Sequence, residues 1–249
     1  MLRLGELSNK NIILKVENLS KSFGEIRACK NITFEVAKGE IFGIAGPNGA
    51  GKTTLFNCVA GLYKSFGKVI FEDIDISRFR ADQICHSGIA RTFQIPILFN
   101  SMTIYENIKI GAYYGKQKIG HKENDISNVL DFVGLNNKKN NNVSNLKLLD
   151  KKLVMLAAAI ATKPKLLLLD EPMGGLSPSE MKELTKLILK LKENFSITII
   201  IIEHLMKILA DIAHRLMIID GGEKVCIDSP ANVCKDKYVI NIYLGDSYA

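Results

Sequence analysis

Tryptophan is absent from the 249 residues, and no apolar run approaches the roughly 18 residues of a membrane-spanning helix. The apolar runs 166–169 and 197–202 are strand-sized. The opening stretch 1–6 carries a glycine and an acid where a signal peptide needs an apolar middle, so no leader is expected there. Cysteine is sparse. The five (Cys29, Cys58, Cys85, Cys226, Cys234) are odd in number, scattered and without C-x-x-C spacing, which excludes a disulfide or zinc framework. They are expected to be reduced core residues of a cytosolic protein. With 47% hydrophobic and 24% charged residues, the chain is neither disordered nor a coiled coil. Its length allows one large domain or two small ones, and no internal repeat is visible. The net charge of +7 could mean a nucleic-acid or anionic-membrane partner. The lysines are spread along the chain, however, and no basic–aromatic ladder accompanies them. A solvated basic surface is the reading, with membrane proximity second and no nucleic acid expected.

Against these absences stands one complete motif: Gly46, Pro47, Asn48, Gly49, Ala50, Gly51, Lys52, Thr53, Thr54. It is G-x-x-x-x-G-K-T, a phosphate-binding loop with every fixed position filled. The apolar run 41–45 before it reads as a buried strand, and 55–60 behind it as a helix stopped at Gly61, which is the context the motif requires. Glycines let successive backbone N–H groups point inward at phosphate oxygens. The helix start adds donors and the positive end of its dipole. Lys52 then offers a point charge to the β- and γ-phosphates, and the Thr53 hydroxyl is placed to bind Mg²⁺. The ligand expected is therefore a nucleotide carrying β- and γ-phosphates, with Mg²⁺.

The remaining elements follow from periodicity and turn chemistry. Strands are expected over 12–17, 31–36 and 68–72, with a turn at 20–24 and a short helix over 81–86. From 101 to 162 the character becomes helical. Thr103 and Glu106 fit a capping box, and Ile126, Val129, Leu130 and Val133 give one amphipathic face closed by Gly134. Residues 136–145 are an Asn/Lys-rich loop without core-forming residues, and 153–161 an Ala-rich apolar helix. Four consecutive leucines, 166–169, suit a parallel strand buried on both faces. Ser177, Pro178 and Glu180 open a helix. Residues 197–202 form another core strand, and Gly221-Gly222 joins two strands as a hairpin. Ser229-Pro230 starts a short helix, and a last one ends near Gly245. The fold class expected is an α/β P-loop NTPase with a mostly parallel core sheet and N-terminal antiparallel strands. Its nucleotide-binding core spans about 10–93 and 165–249, and its helical subdomain about 94–164.

Asp170 ends the leucine strand, where a carboxylate reaches Mg²⁺ or its water from the sheet's C-terminal edge. Glu171, one residue on, can polarise an attacking water. His204 follows the 197–202 strand and could meet the γ-phosphate, although a lone histidine is more often structural. Gln94 is uninformative by itself. Phe23 could stack on an adenine or simply lie in the core.

Taken in order, Phe23, the phosphate loop, Thr92-Phe93-Gln94, the helical insert, Leu169-Asp170-Glu171-Pro172 and Glu203-His204 resemble the ATP-binding subunits of ABC transporters along essentially the whole chain. Within that family the sequence looks most like the subunits of branched-chain amino-acid uptake systems. The segment 89–94, Met102-Thr103-Ile104-Tyr105-Glu106-Asn107 and Ile242-Tyr243-Leu244-Gly245 carry that finer likeness. The resemblance implies Phe23 stacking on adenine, Gln94 linking Mg²⁺ to membrane subunits, Glu171 as general base and His204 as γ-phosphate sensor. It makes Thr53, Gln94 and Asp170 the metal-binding set. It also implies a dimer of ATP-binding subunits, alike or unlike, beneath two membrane permeases. An external solute-binding protein would act indirectly, and the chain would sit at the cytoplasmic face of the membrane.

The chain departs from that family at one place. The Ser-Gly pair expected to open the helix before Asp170 is replaced by Leu146-Lys147-Leu148-Leu149-Asp150-Lys151. A Ser hydroxyl and Gly N–H at a helix start would meet the partner subunit's γ-phosphate. Lys147 keeps charge, while Leu148 and Leu149 add bulk. The composite site this segment completes is expected to be weak, unless Ser144 or Lys147 substitutes. Two other readings therefore stand beside a hydrolysing transport subunit: a non-hydrolysing, nucleotide-gated subunit of a heteromeric complex, and a soluble ABC ATPase outside transport.

Overall fold

The computed structural model describes residues 11–115 and 123–244, so the calls on 1–6 and on Gly245 lie outside the described residues. In chain order the elements are β1 (Ile12–Phe23), β2 (Ile26–Ala37), β3 (Ile41–Ala45), α1 (Lys52–Val59), β4 (Phe66–Phe71), β5 (Ile74–Asp75), α2 (Ala81–Ser87) and β6 (Ile89–Arg91). Then come α3 (Ile104–Tyr114), α4 (Glu123–Phe132), α5 (Leu148–Ala161), β7 (Leu166–Asp170), α6 (Pro178–Phe195), β8 (Thr198–Ile202) and α7 (Met206–Ile212). The chain closes with β9 (Arg215–Asp220), β10 (Glu223–Asp228), α8 (Pro230–Val233) and α9 (Lys237–Leu244). No described helix is long and apolar enough to cross a membrane. The chain divides into two compact units, one of residues 1–81 with 198–249 and the other of 82–197.

The first unit holds an antiparallel sheet in the order β2-β1-β4-β5. It also holds β3 between β8 and β9, parallel to both, with β10 antiparallel on the outer edge of β9. Every residue of β3 and β8 is buried, as strands covered on both faces require. Phe34 of β2 stacks on Phe42 of β3 with ring centroids 5.5 Å apart, joining the two layers. Beside them Arg215 forms a bidentate pair with Glu40 at 2.7 and 2.9 Å.

The second unit pairs β6 with β7 in parallel and carries the helices α2 to α6. Both expected capping boxes are present, at Thr103 on α3 and at Ser177 on α6. Hydrogen bonds from the Ser177 side chain and backbone hold the Glu180 carboxyl below the usual carboxylate range. Replacing Ser177 by Ala should cost about 1 kcal/mol of stability, read from urea unfolding. Because Glu180 is lowered in the folded state, this contribution is present above the ordinary glutamate pKa. It fades as pH falls through the folded value, so the gap between variant and wild type should narrow in acid.

Several local expectations need correction. β1 runs through Ser20 to Phe23, paired with β2, and the chain reverses only at Gly24 and Glu25. The polar residues there satisfy a strand ladder instead of a turn. The helix expected from 153 begins at Leu148, and α7 was not expected at all. Residues 136–145 contain two 3₁₀ turns, Asn136–Lys138 and Val143–Asn145, and Val143 is a fully buried core residue. Only Cys29 and Cys58 are buried among the five free cysteines, and Cys234 is exposed. Burial pushes the Cys29 thiol up to about 12, with a smaller push from Cys58.

Candidate active site

In the first unit the phosphate loop leaves β3 at Gly46, whose φ is +152°. A Cβ there would lie 2.0 Å from the Ile219 carbonyl oxygen, and one on Gly51 2.0 Å from that of Ala28, so both positions exclude a side chain. The β9–β10 hairpin supports the loop from below. Gly222 N–H donates to the Ala50 carbonyl at 3.1 Å, and Lys30 N–H donates to the Gly222 carbonyl at 2.7 Å. Lys52 is 5% exposed and donates from Nζ to the carbonyls of Gly46 and Pro47, each at 2.8 Å. The loop thus closes around its own ammonium. α1 starts at Lys52 behind the left-handed Gly51, with no side-chain cap among the described residues and no acid in its first turn. The positive end of the helix therefore faces the loop, an arrangement that attracts phosphate. Thr53 is exposed and Thr54 half-buried, while Pro47, Asn48 and Gly49 form the outer rim.

Phe23 is 45% exposed at the end of β1 and meets Tyr63 edge-on at 5.3 Å. The Lys21 ammonium lies 5.0 Å from the Phe23 ring centre and 5.7 Å from that of Tyr63. Phe23 is therefore not a core residue. His204 is half-exposed just past β8, its Nδ1 3.9 Å from a carboxylate oxygen of the fully buried Glu203.

In the second unit, Asp170 at the end of β7 is 2% exposed. Its carboxylate accepts from the Arg91 guanidinium at 2.7 Å, and that guanidinium also lies 4.9 Å from the centre of the Phe93 ring. Gln94 donates from its side-chain amide to the Glu171 carboxylate at 2.6 Å. Glu171 has a left-handed backbone, φ +44°, which for a residue other than glycine carries strain that its surroundings must hold. The sequence reading missed both Arg91 and the buried Lys152. Their partners lie 79 and 58 positions away, beyond any local pattern.

The replaced segment does open a helix. Lys147 is the N-cap of α5, but no side chain caps the helix there. A Cβ on Gly175 would lie 2.9 Å from Leu148, so that leucine packs over the glycine. Ser144 is turned to Asn142, donating to its side-chain oxygen at 2.6 Å.

The oxygen donors of Thr53, Gln94 and Asp170 are of the hard kind that Mg²⁺ takes. The Lys52 ammonium and the uncapped, positive end of α1 suit the anionic oxygens of a triphosphate.

Comparison with known proteins agrees with this chemistry. The model of a family described as ABC transporter matches residues 29–174. The chain is 35% identical to the high-affinity branched-chain amino acid transport ATP-binding protein LivG of Escherichia coli, over 94% of this chain and 98% of that protein. It is 32% identical to the probable LivG of Methanocaldococcus jannaschii, over 94% and 98%. A solved ATP-binding cassette of an ABC transporter, in its ADP conformation, superposes with a TM-score of 0.85 at 32% identity, covering 95% of this chain and all of that one.

Proposed function

The chain belongs to the ABC transporter family as an ATP-binding subunit, and from that premise we propose that it hydrolyses MgATP to drive import of branched-chain amino acids through two partner membrane permeases. It would work as a dimer with a second ATP-binding subunit, at the cytoplasmic face of the membrane. A solute-binding protein outside would set specificity. The observation that carries the reading is the phosphate loop closed around Lys52, with glycines where no Cβ fits. The similarity to branched-chain amino acid transport proteins along nearly the whole chain supports the solute class.

Each residue has a role in an in-line attack of water on the γ-phosphate. Backbone N–H groups of the 46–54 loop, all but Pro47, which has none, hold the phosphates, and Lys52 moves its charge from loop carbonyls to the β/γ oxygens. Thr53, Gln94 and Asp170 would hold Mg²⁺, which would neutralise charge on the phosphate oxygens. Glu171 takes the proton of the attacking water. His204 senses the γ-phosphate, and Phe23 stacks on adenine. The nucleotide-binding core runs over about 10–93 and 165–249, and the helical subdomain over about 94–164.

A second reading rests on α5. With Lys147 at its N-cap and Leu148 packed over Gly175, the segment lacks a compact hydroxyl donor for a partner's γ-phosphate. In that case the chain binds nucleotide but turns over only beside an unlike subunit. The MgATPase rate of the purified chain, alone, separates the two. Steady turnover supports the first reading, and binding without turnover the second. Replacing Lys52 by Ala removes a charge-assisted contact worth roughly 1.5–3 kcal/mol, so ATP affinity should fall about 10- to 100-fold. Unchanged affinity measured by calorimetry would sink both.

A further inference from the structure

The most deeply buried ammonium among the described residues of the second unit serves none of the roles given so far. Lys152, on α5, is 3% exposed. Its Nζ donates to the main-chain carbonyl of Gln94 at 3.2 Å and to that of Glu171 at 3.4 Å. Three residues on, along the same face of α5, the Met155 sulfur accepts from Phe93 N–H at 3.4 Å. One helix face therefore grips the glutamine segment at two successive residues and the glutamate at its backbone. Below these contacts, Thr92, Met155, Leu156, Leu169 and Pro172 line a small cavity with Lys152. An ammonium in such apolar surroundings is costly, and a methionine of similar length would pack there without that cost.

We propose that Lys152 is a positioning residue for hydrolysis. It ties the backbones of Gln94 and Glu171 to the helix that Lys147 opens, so that their side chains meet. Three observations converge on this. The two carbonyls Lys152 joins belong to the two residues whose side chains touch at 2.6 Å. Glu171 holds a left-handed backbone, which a hydrogen bond to its own carbonyl helps to fix. The neighbouring Asp170 is matched by Arg91, so Lys152 is not needed as its counter-charge. The inference rests on Glu171 acting as the base, and its consequence is geometric. A shift at the start of α5 moves Lys152 and, through it, the water-activating carboxylate.

The test uses the full chain with Lys152→Met, Lys152→Arg and Glu171→Gln side by side. Lys152→Met should speed hydrogen exchange across residues 92–95 while leaving ATP affinity and melting temperature at wild-type values. In whichever preparation turns over ATP, kcat should fall roughly 10- to 100-fold, the scale of misplacing a reacting group by about 1 Å, with KM unchanged. Lys152→Arg keeps two or more donors and the positive charge, and should restore both readouts. In the Glu171→Gln background, Lys152→Met should add nothing further. If Lys152→Met does not fold, Lys152→Gln takes its place. Unchanged exchange at 92–95 in a folded neutral variant overturns the inference. So does a loss that Lys152→Arg does not rescue. If Glu171→Gln itself leaves kcat intact, it is the assignment of the base that fails.

Discussion

Replacing Glu171 by Gln should lower the rate of ATP hydrolysis by roughly 10²- to 10⁴-fold, the range of a lost general base, while ATP affinity stays at its wild-type value. The substitution is nearly isosteric. Gln94 donates to the carboxylate at 2.6 Å, and an amide oxygen can accept the same hydrogen bond, so the backbone at φ +44° has no cause to relax. What disappears is the capacity to take a proton from water. Single-turnover hydrolysis at saturating ATP reads this directly, since binding is then complete in both proteins. A loss smaller than about tenfold would remove Glu171 from the proton transfer.

The second large effect is on stability. Arg91 and Asp170 form a salt bridge of 2.7 Å with side chains only 7% and 3% exposed. Removing one partner of such a buried pair typically costs about 3–5 kcal/mol. Arg91→Met is therefore expected to lower the apparent melting temperature by roughly 6–20 °C, at about 2–4 °C per kcal/mol for a chain of this size. The double variant Arg91→Met with Asp170→Leu should recover most of that loss, because two apolar groups need no partner. A single variant that melts with wild type would mean that water or another group already screens Asp170. The pair also bears on the metal, since the carboxylate proposed to hold Mg²⁺ has a standing cationic neighbour in Arg91.

What could be read from the residues was whatever is encoded locally. The phosphate loop, the leucine strand β7, the capping boxes at Thr103 and Ser177, and the Gly221-Gly222 hairpin each carry their signal within a few positions. Three kinds of feature did not. α7 has neither a side-chain cap at Leu205 nor an acid in its first turn to announce it. β1 continues through Ser20, Lys21 and Ser22 because β2 lies opposite, and polar residues alone look like a turn. Arg91 and Lys152 find their partners across the second unit. Sequence patterns show that a lysine is present, but not which carbonyls it faces. The replaced segment was legible as a departure, whereas its packing over Gly175 was not.

The support beneath the phosphate loop has a consequence for how the protein is made. The loop spans residues 46–54, yet its shape depends on the carbonyl of Ala28 on one side and on Ile219 and Gly222 on the other. On a ribosome, Ile219 and Gly222 emerge long after the motif itself. Nucleotide binding is thus expected to wait for β9 and β10, and fragments ending before β9 should carry the whole motif in their sequence without holding its shape. Domains generally fold as units during synthesis. Here the unit that must be finished includes β9 and β10, so a chain that stops short of them is not expected to capture ATP.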